Sequence, residues 1–389
     1  MPVAPYRAKR FAGSGLMRRR IRRGYGSNWA ATGMALVAGV LASLLATRGH
    51  AAVFTLPPDN SSLIGQDQQI QSQASDTLLD LARKYSVGYW EIQEANPKVD
   101  LWLPGQGTNI TIPGRFIVPP GAHKGIVINL PQHRLFYFPK AHRHDQPIVI
   151  TYPVSPGEGD FPTPVGVTRI IRKVPHPVWI PTAHILKAHA LAGDPIPKIW
   201  PAGPDNPMGE WALETTLSRG EIYIHGTNNP MAIGMSVTHG CVRLYPEDIA
   251  ALYPIVRVGT PVTIVNEPVL ASLQDGELYL EVHPPTTSNH VPAPPNYDQI
   301  SQIIDTAIGK NPVAIDWDTV RQVATQANGI PQLIGVQAYY NPPGAAPGNP
   351  PGAAPGSAPA TPAGAQTQPT QETTLSGPRH LKSGAAGAT

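Results

Sequence analysis

The sequence predicts a mainly β protein with a small α+β unit and a disordered Pro/Gly/Ala-rich tail. Three observations predict it. Across residues 124–266, short β-branched and aromatic runs alternate with Pro and Gly punctuation. Residues 69–113 place a helical apolar spacing between strand-like ends. From Asn341 the chain is low in complexity, and Asn341–Gly348 and Asn349–Gly356 repeat the same eight residues, NPPGAAPG.

Composition narrows the function classes. A length of 389 residues suggests two or three domains. Proline contributes 46 residues, well above the usual share of about 5%, so part of the chain is expected to lack a core. A single cysteine excludes an intrachain disulfide and any cysteine-rich zinc or iron–sulfur site. The net charge of +3 divides unevenly, since residues 1–51 carry nine Lys/Arg and no Asp/Glu. The remainder is acidic, with 20 basic against 26 acidic residues, which argues against a nucleic-acid partner.

Residues 1–52 read as a signal peptide or an uncleaved N-terminal anchor. Arg18–Arg20 and Arg22-Arg23 precede an apolar run from Trp29 to Thr47, and Gly49, Ala51 and Ala52 supply a small-residue cut site. Either reading exports the body of the protein. Residues 53–68 are expected as a linker.

Residues 69–114 form the small unit. Asp76-Thr77 caps a helix with Leu78, Leu79, Leu81, Ala82 and Tyr85 as its apolar positions. A second helix through Trp90, Ile92 and Ala95 stops at Asn96-Pro97, and Asn109–Pro113 reads as a strand. Within residues 122–267, strands are expected at Gly125–Asn129, Arg134–Phe138, Ile148–Pro153, Val165–Lys173, Ile222–Ile224 and Pro261–Val265, with a short helix at Glu247–Tyr253. The stretch Pro175–Met208 is expected as a long irregular or functional loop. Residues 268–340 form an α/β extension: a strand at Glu277–His283, a helix at Tyr297–Lys310 with Ile300, Ile303, Ile304 and Ile308 on one face, and a helix at Asp318–Asn328. Residues 341–389 are the disordered tail.

The cysteine sits in Thr238-His239-Gly240-Cys241-Val242-Arg243, downstream of Tyr223-Ile224-His225-Gly226. A thiol nucleophile needs a base or nearby positive charge and backbone N–H donors for the developing oxyanion. Both are in reach of this pattern. On composition alone, a lone cysteine is most often a small buried hydrophobe. A metal site from His225, His239 and Cys241 has spacings that match no common zinc pattern.

The pattern resembles the L,D-transpeptidase (YkuD-type) catalytic domain, whose signature is a histidine, a gap of a dozen or so residues, then Ser/Thr-His-Gly-Cys. Thr163-Pro164-Val165-Gly166 and Ile222–Thr227 belong to the same resemblance. Many members carry Asn two places after the cysteine. This chain has Arg243, like the Gram-negative members that attach lipoprotein or cross-link peptidoglycan, and Glu281-Val282-His283 fits that subgroup. Residues Asp76-Thr77-Leu78, Ala82–Tyr85, Asn96-Pro97, Pro104–Gln106 and Ile110–Pro113 resemble a peptidoglycan-binding LysM module of strand, two helices and strand, with Gln68–Gln73 in place of the usual apolar first strand. A packing subdomain is the alternative for that unit.

The resemblance implies mixed β-sheets around a cleft and no metal or organic cofactor. It implies Cys241 as nucleophile and His225 as general base, held by the carbonyl of Gly226. His239 and Gly240 would shape the oxyanion hole. Arg243, Tyr223 and Thr238 would contact substrate. The implied donor is a peptidoglycan tetrapeptide stem: the thiolate attacks the third-residue carbonyl, expels D-alanine and leaves a thioester. A second stem as acceptor gives a 3→3 cross-link, a lipoprotein lysine gives anchoring, and water gives an L,D-carboxypeptidase. Carbapenems would acylate the thiol. The implied compartment is the periplasm, with membrane contact only through a retained N-terminus. Sortase-like and papain-like readings fit poorly: Arg257 stands far from Cys241, and the histidines that follow Cys241, His283, His290 and His380 in the tail, lie in weak contexts. A non-catalytic wall-binding scaffold is the remaining alternative. It would require an inert thiol, whereas a catalytic one is expected to react readily near pH 7.

Overall fold

The computed structural model describes residues 52–57, 62–141, 145–284 and 294–338. Residues 1–51, expected as most of a signal peptide or anchor, and the repeat-bearing tail expected as disordered lie outside the described residues. No helix among the described residues is long and apolar enough to cross a membrane.

The described residues begin with β1 (Ala52–Thr55), β2 (Leu63–Gly65) and β3 (Gln68–Gln71). Residues 53–68, expected as a linker, therefore hold sheet structure. β1 pairs antiparallel with a strand of the central sheet, where Ala52 lies opposite Thr151. Its Phe54 packs against a core cluster with Phe136 and Val149.

The small unit continues through α1 (Leu78–Lys84), α2 (Tyr89–Ala95) and β4 (Asn109–Ile112). Thr77 Oγ1 accepts the Asp80 N–H at 3.0 Å and so caps α1. Leu78, Leu81, Ala82, Ile92, Ile110 and Ile112 form its core. The polar strand β3 pairs antiparallel with β4, Ile70 opposite Ile110, and Ile70 packs against that core.

After β5 (Arg115–Ile117), which pairs with β2, the main domain runs through β6 (Gly125–Asn129), β7 (Arg134–Phe138), β8 (Ile148–Pro153), β9 (Gly166–Pro175), α3 (Ala183–Leu191), β10 (Trp211–Thr215), β11 (Tyr223–His225), β12 (Val242–Arg243), α4 (Pro246–Ile255) and β13 (Pro261–Val265). These strands form one nine-stranded sheet in the order β1-β8-β7-β6-β13-β9-β10-β11-β12. It is mixed: β6 and β13 are parallel, as are β11 and β12, and the other pairs are antiparallel. β6 and β7 are buried on both faces, which explains their unbroken apolar runs. Ile126, Ile128 and Leu135 join the cluster that includes Ile249 and Leu252 of α4, while Val127, Phe136 and Phe138 join the opposite cluster with Phe116.

The C-terminal extension comprises β14 (Val269–Gln274), β15 (Glu277–Val282), α5 (Tyr297–Ile308), β16 (Val313–Ile315), α6 (Trp317–Gln326) and β17 (Gln332–Gln337). Its four strands form an antiparallel sheet in the order β14-β15-β17-β16, and its core cluster includes Ile300 and Ile304 of α5 and Val320 and Val323 of α6. The sequence signal for both helices is their apolar stripe. The strands β14, β16 and β17 lacked a comparable pattern.

Charged contacts, two of them buried and one at the surface, join the three parts. Arg134 is fully buried and pairs bidentately with Glu91 of α2 at 2.7 and 2.6 Å, with its guanidinium 3.9 Å from the Phe116 ring centre. Arg83 of α1 reaches Glu247 of α4 at 2.7 Å. Glu281 of β15 is buried, accepts from the Ile117 N–H at 2.7 Å and from Gln132 Nε2 at 2.6 Å, and meets His283 Nε2 at 2.7 Å. The small unit and the extension are thus tied to the sheet that carries the site.

Asp248 lies in the same seam, where Ser86 Oγ donates to its carboxylate at 3.3 Å. Burial, reinforced by the Glu247 charge, pushes its carboxyl up to about 7. The folded state therefore holds this proton to higher pH than the unfolded chain, whose carboxyl titrates near about 4. Asp248 thus lowers stability progressively as pH rises from about 4 to 7. Asp248→Asn is expected to raise the melting temperature more at pH 8 than at pH 5. Melts at the two values check this, and an equal shift at both would contradict it.

Candidate active site

The last strands of the large sheet bring the cysteine motif to its histidine. β10 and β11 pair antiparallel, with Ala212 opposite His225. β11 then pairs in parallel with β12, Ile224 opposite Val242 and His225 opposite Arg243. Side chains alternate along a strand. Ile224 and Val242 accordingly enter the core, while Tyr223, His225, Cys241 and Arg243 line a cleft of about 780 Å³.

The segment before Cys241 is clamped from the other side. Ser155 and Arg243 exchange backbone hydrogen bonds of 2.9 and 3.0 Å, and the Glu158 N–H donates to the Thr238 carbonyl at 2.9 Å. Thr163 Oγ1 accepts the Gly157 N–H at 2.8 Å and donates to the Gly240 carbonyl at 2.9 Å. Gly240 has φ +101°, in the region that favours glycine, and a Cβ there would stand 3.1 Å from Ile222 Cδ1. Thr163 was visible in sequence only as part of a motif. Its role as a strut depends on partners that no spacing reveals.

Two of the expected site groups are engaged inside the loop, although Thr238 also lines the cleft. Thr238, expected to contact substrate, is buried and spends its hydroxyl inside the loop: it donates to the Cys241 carbonyl at 2.5 Å and accepts the Gly240 N–H at 3.2 Å. The Gly240 N–H is therefore engaged internally and is not a free oxyanion donor. The N–H groups of His239 and Cys241 have no acceptor among the described residues.

His225 is buried and its Nδ1 lies 2.7 Å from the Gly226 carbonyl. A carbonyl can only accept, so Nδ1 carries the proton and Nε2 is left as the basic nitrogen. Burial, then the Arg243 charge, pushes His225 down to about 3, against the raising effect of the Gly226 and Met208 carbonyls. Cys241 is half-buried. Its Sγ receives the Tyr223 N–H at 3.5 Å and donates to the Glu221 carbonyl at 3.6 Å. Burial pushes the thiol up, opposed by the Tyr223 N–H and the Arg243 charge. These surroundings favour a neutral thiol and a neutral imidazole, the latter being the form expected from sequence to accept the thiol proton. The Glu221 carbonyl and Tyr223 N–H are contacts that sequence reasoning missed, because they are backbone groups set by the pairing of β11.

The other candidates separate by surroundings. The His239 ring packs 4.5 Å from Phe161 and 5.9 Å from His189 of α3, and burial with nearby His189 pushes its pKa down. Tyr223 faces the cleft beside Arg172, which pairs with Glu214 at 2.6 Å, and burial raises its hydroxyl pKa. Arg243 lines the cleft half-buried, with its Nε buried and unpartnered. No group of three or more His, Cys, Asp or Glu side chains among the described residues is arranged to hold a metal.

The opposite wall comes from the stretch expected as an irregular loop. It contains α3, which buries no residue and so left no periodic signal. The stretch closes on itself: Trp179 and Trp200 exchange backbone hydrogen bonds of 3.0 and 2.8 Å, and Asn206 Nδ2 donates to the Pro177, Trp200 and Pro201 carbonyls. Val178, Trp179, Ile180 and Ile185 present an apolar surface to the cleft.

Known families and proteins resemble this chain in sequence. The family model of the YkuD L,D-transpeptidase catalytic domain matches residues 123–264. The chain is 43% identical to the probable L,D-transpeptidase YbiS of Escherichia coli K12, over 61% of this chain and 77% of that protein. It is 36% identical to the probable L,D-transpeptidase ErfK/SrfK of Salmonella typhimurium, over 72% of this chain and 89% of that protein. It is 38% identical to the probable L,D-transpeptidase YcfS of Escherichia coli K12, over 62% and 75% respectively.

Alkylation of the single thiol reads the electrostatics directly. With the thiol pushed up, the iodoacetamide rate is expected to keep climbing past about pH 8.5, the ordinary thiol midpoint, with no plateau near neutrality. A plateau between pH 6 and 7 would contradict the neutral pair.

Proposed function

The chain belongs to the L,D-transpeptidase family and is an L,D-transpeptidase, and on that premise we propose that Cys241 is its nucleophile, His225 its general base and a peptidoglycan tetrapeptide stem its donor. The observation that supports this reading is the tautomer lock. With Nδ1–H donating to the Gly226 carbonyl, Nε2 is the nitrogen free to take a proton in the cleft that holds the only thiol in the chain.

The chemistry starts from the neutral pair. The stem's third-residue carbonyl, that of diaminopimelate, enters the cleft beside Sγ. The thiol proton moves to His225 Nε2 as Sγ bonds to the carbonyl carbon. The N–H groups of Cys241 and His239, which lack internal acceptors, stabilise the developing oxyanion. His225 then gives the proton to the departing amine of D-alanine, and a thioester remains. An amine acceptor, from a second stem or a lipoprotein lysine, surrenders a proton to His225 and takes the acyl group. No acidic third residue is required, because a backbone carbonyl orients the imidazole. Carbapenems acylate the same thiol.

Residues outside the cleft serve delivery. The arginine-rich segment ahead of Trp29 is read as an export signal that sends the body to the periplasm. The β3-α1-α2-β4 unit is assigned to glycan binding on its LysM-like order of elements.

Intact-mass measurement of the protein with a disaccharide-tetrapeptide tests the reading. Wild type is expected to gain an acyl adduct and release D-alanine, with product masses identifying the acceptor. Cys241→Ala is expected to lose the adduct entirely, and His225→Ala to slow acylation by about 10³-fold or more. Cross-linking retained by Cys241→Ala would contradict the assignment.

A further inference from the structure

Where β6 turns into β7, consecutive residues reach different parts of the chain. Gln132 Nε2 donates to Glu281 of the extension at 2.6 Å, and Arg134 pairs with Glu91 of the small unit. His133, between them, reaches the segment that carries the cysteine motif. Its Nε2 lies 2.9 Å from Ser236 Oγ, and both residues are buried. Ser236 belongs to the connection from β11 to β12, five residues before Cys241. Neither side chain takes part in the acyl transfer proposed above.

His133 has a left-handed backbone, with φ +49°. Glycine adopts that conformation freely, whereas a side chain makes it costly. The imidazole therefore adds nothing to the turn itself, and what it adds is the contact with Ser236. The base of this contact is fixed. The His133 N–H donates to the Leu130 carbonyl at 3.0 Å, and its carbonyl accepts the Val154 N–H at 2.7 Å. Val154 precedes Ser155, whose backbone bonds Arg243 of β12. The Ser155 hydroxyl donates to the Ala232 carbonyl at 2.7 Å and accepts the Gly234 N–H at 3.1 Å. Further along, the Thr238 N–H donates to the Pro156 carbonyl at 3.3 Å. The connection is thus pinned to the end of β8 at Gly234 and at Thr238, and between these pins His133 holds Ser236.

We propose that His133 is a positioning residue for the acyl transfer: acting through Ser236, it fixes the height of the connection and so the placement of the His239 and Cys241 N–H groups beside Sγ. The inference rests on Cys241 as the nucleophile. Donors aimed at an oxyanion act on charge that develops only in the transition state. Loosening them lowers the rate of bond formation and leaves ground-state affinity nearly unchanged.

Three variants of the full chain test this with a disaccharide-tetrapeptide, by time-resolved intact mass over a range of substrate concentrations, well below each protein's melting temperature. His133→Phe keeps the bulk of the ring without a hydrogen bond. Ser236→Ala removes the partner. His133→Gln returns an amide nitrogen near the place of Nε2. The saturating acylation rate is expected to fall about 10- to 100-fold in His133→Phe and in Ser236→Ala, with the half-saturating concentration unchanged. Most of the loss is expected to be rescued in His133→Gln, and the double variant is expected to be no slower than either single change. Wild-type saturating rates in folded His133→Phe and Ser236→Ala, with only the melting temperature lowered, would overturn the proposal and leave the contact a packing one. So would a raised half-saturating concentration at an unchanged saturating rate, which would place the effect on substrate binding. If His133→Phe does not fold, Ser236→Ala, which loses a single oxygen atom, decides between these outcomes. Failure of wild type to acylate would instead overturn the mechanism on which the proposal rests.

Discussion

The site depends on a very short piece of parallel pairing, in which Ile224 and His225 align with Val242 and Arg243. Parallel strands require a crossover connection, and in this chain the connection contains Thr238, His239 and Gly240. Shifting this register by one residue would send Cys241 and His225 to the core and Val242 and Ile224 to the cleft. The surrounding structure reads as a set of devices against that slip. Ile224 and Val242 are anchored in the main core, Ser155 bonds β12 from its other edge, and Thr163 ties the Gly240 carbonyl to the chain after β8.

Electrostatics follows from the same placement. The core that fixes the register also desolvates His225 and Cys241, pushing the imidazole down and the thiol up. Arg243, opposite His225, disfavours an imidazolium and favours a thiolate, so it shifts both groups toward deprotonation. Burial thus favours keeping the proton on sulfur in the absence of a ligand. At longer range, the Arg134–Glu91 pair fixes the small unit to β7, and Glu281 fixes the extension through Gln132 and Ile117. These contacts are buried and charge-assisted, and removing one partner of such a pair costs about 3–5 kcal/mol. The small unit and the extension therefore brace the sheet that carries the cleft.

Much of this was legible in sequence where burial writes a pattern. β6, β7, β8 and β13 are apolar runs whose ends match the reading residue for residue, because strands buried by the sheet admit few polar residues. The helices α5 and α6 show as stripes for the same reason. What escaped was structure specified by partners. β12 is two residues long and exists because β11 and Ser155 flank it. β3 is polar and is defined by β4, and β1 completes an edge within a stretch that reads as a linker. In the site, the motif singled out Cys241, His225 and Gly226, and the structure places His225 and Cys241 in one cleft with the His225 ring against the Gly226 carbonyl. The motif could not show that Thr238 turns inward or that the Gly240 N–H is consumed by it, since the loop's internal hydrogen bonds set both.

The proposed chemistry turns on His225 resting as a neutral imidazole protonated at Nδ1, in the cleft that also holds a neutral thiol. Nitrogen-15 NMR of histidine-labelled protein measures this state, with His225→Gln used to assign the signal. One protonated and one bare nitrogen are expected for His225, unchanged from pH 8 down to pH 5. Two protonated nitrogens at neutral pH would reveal a thiolate–imidazolium pair and contradict the neutral resting state.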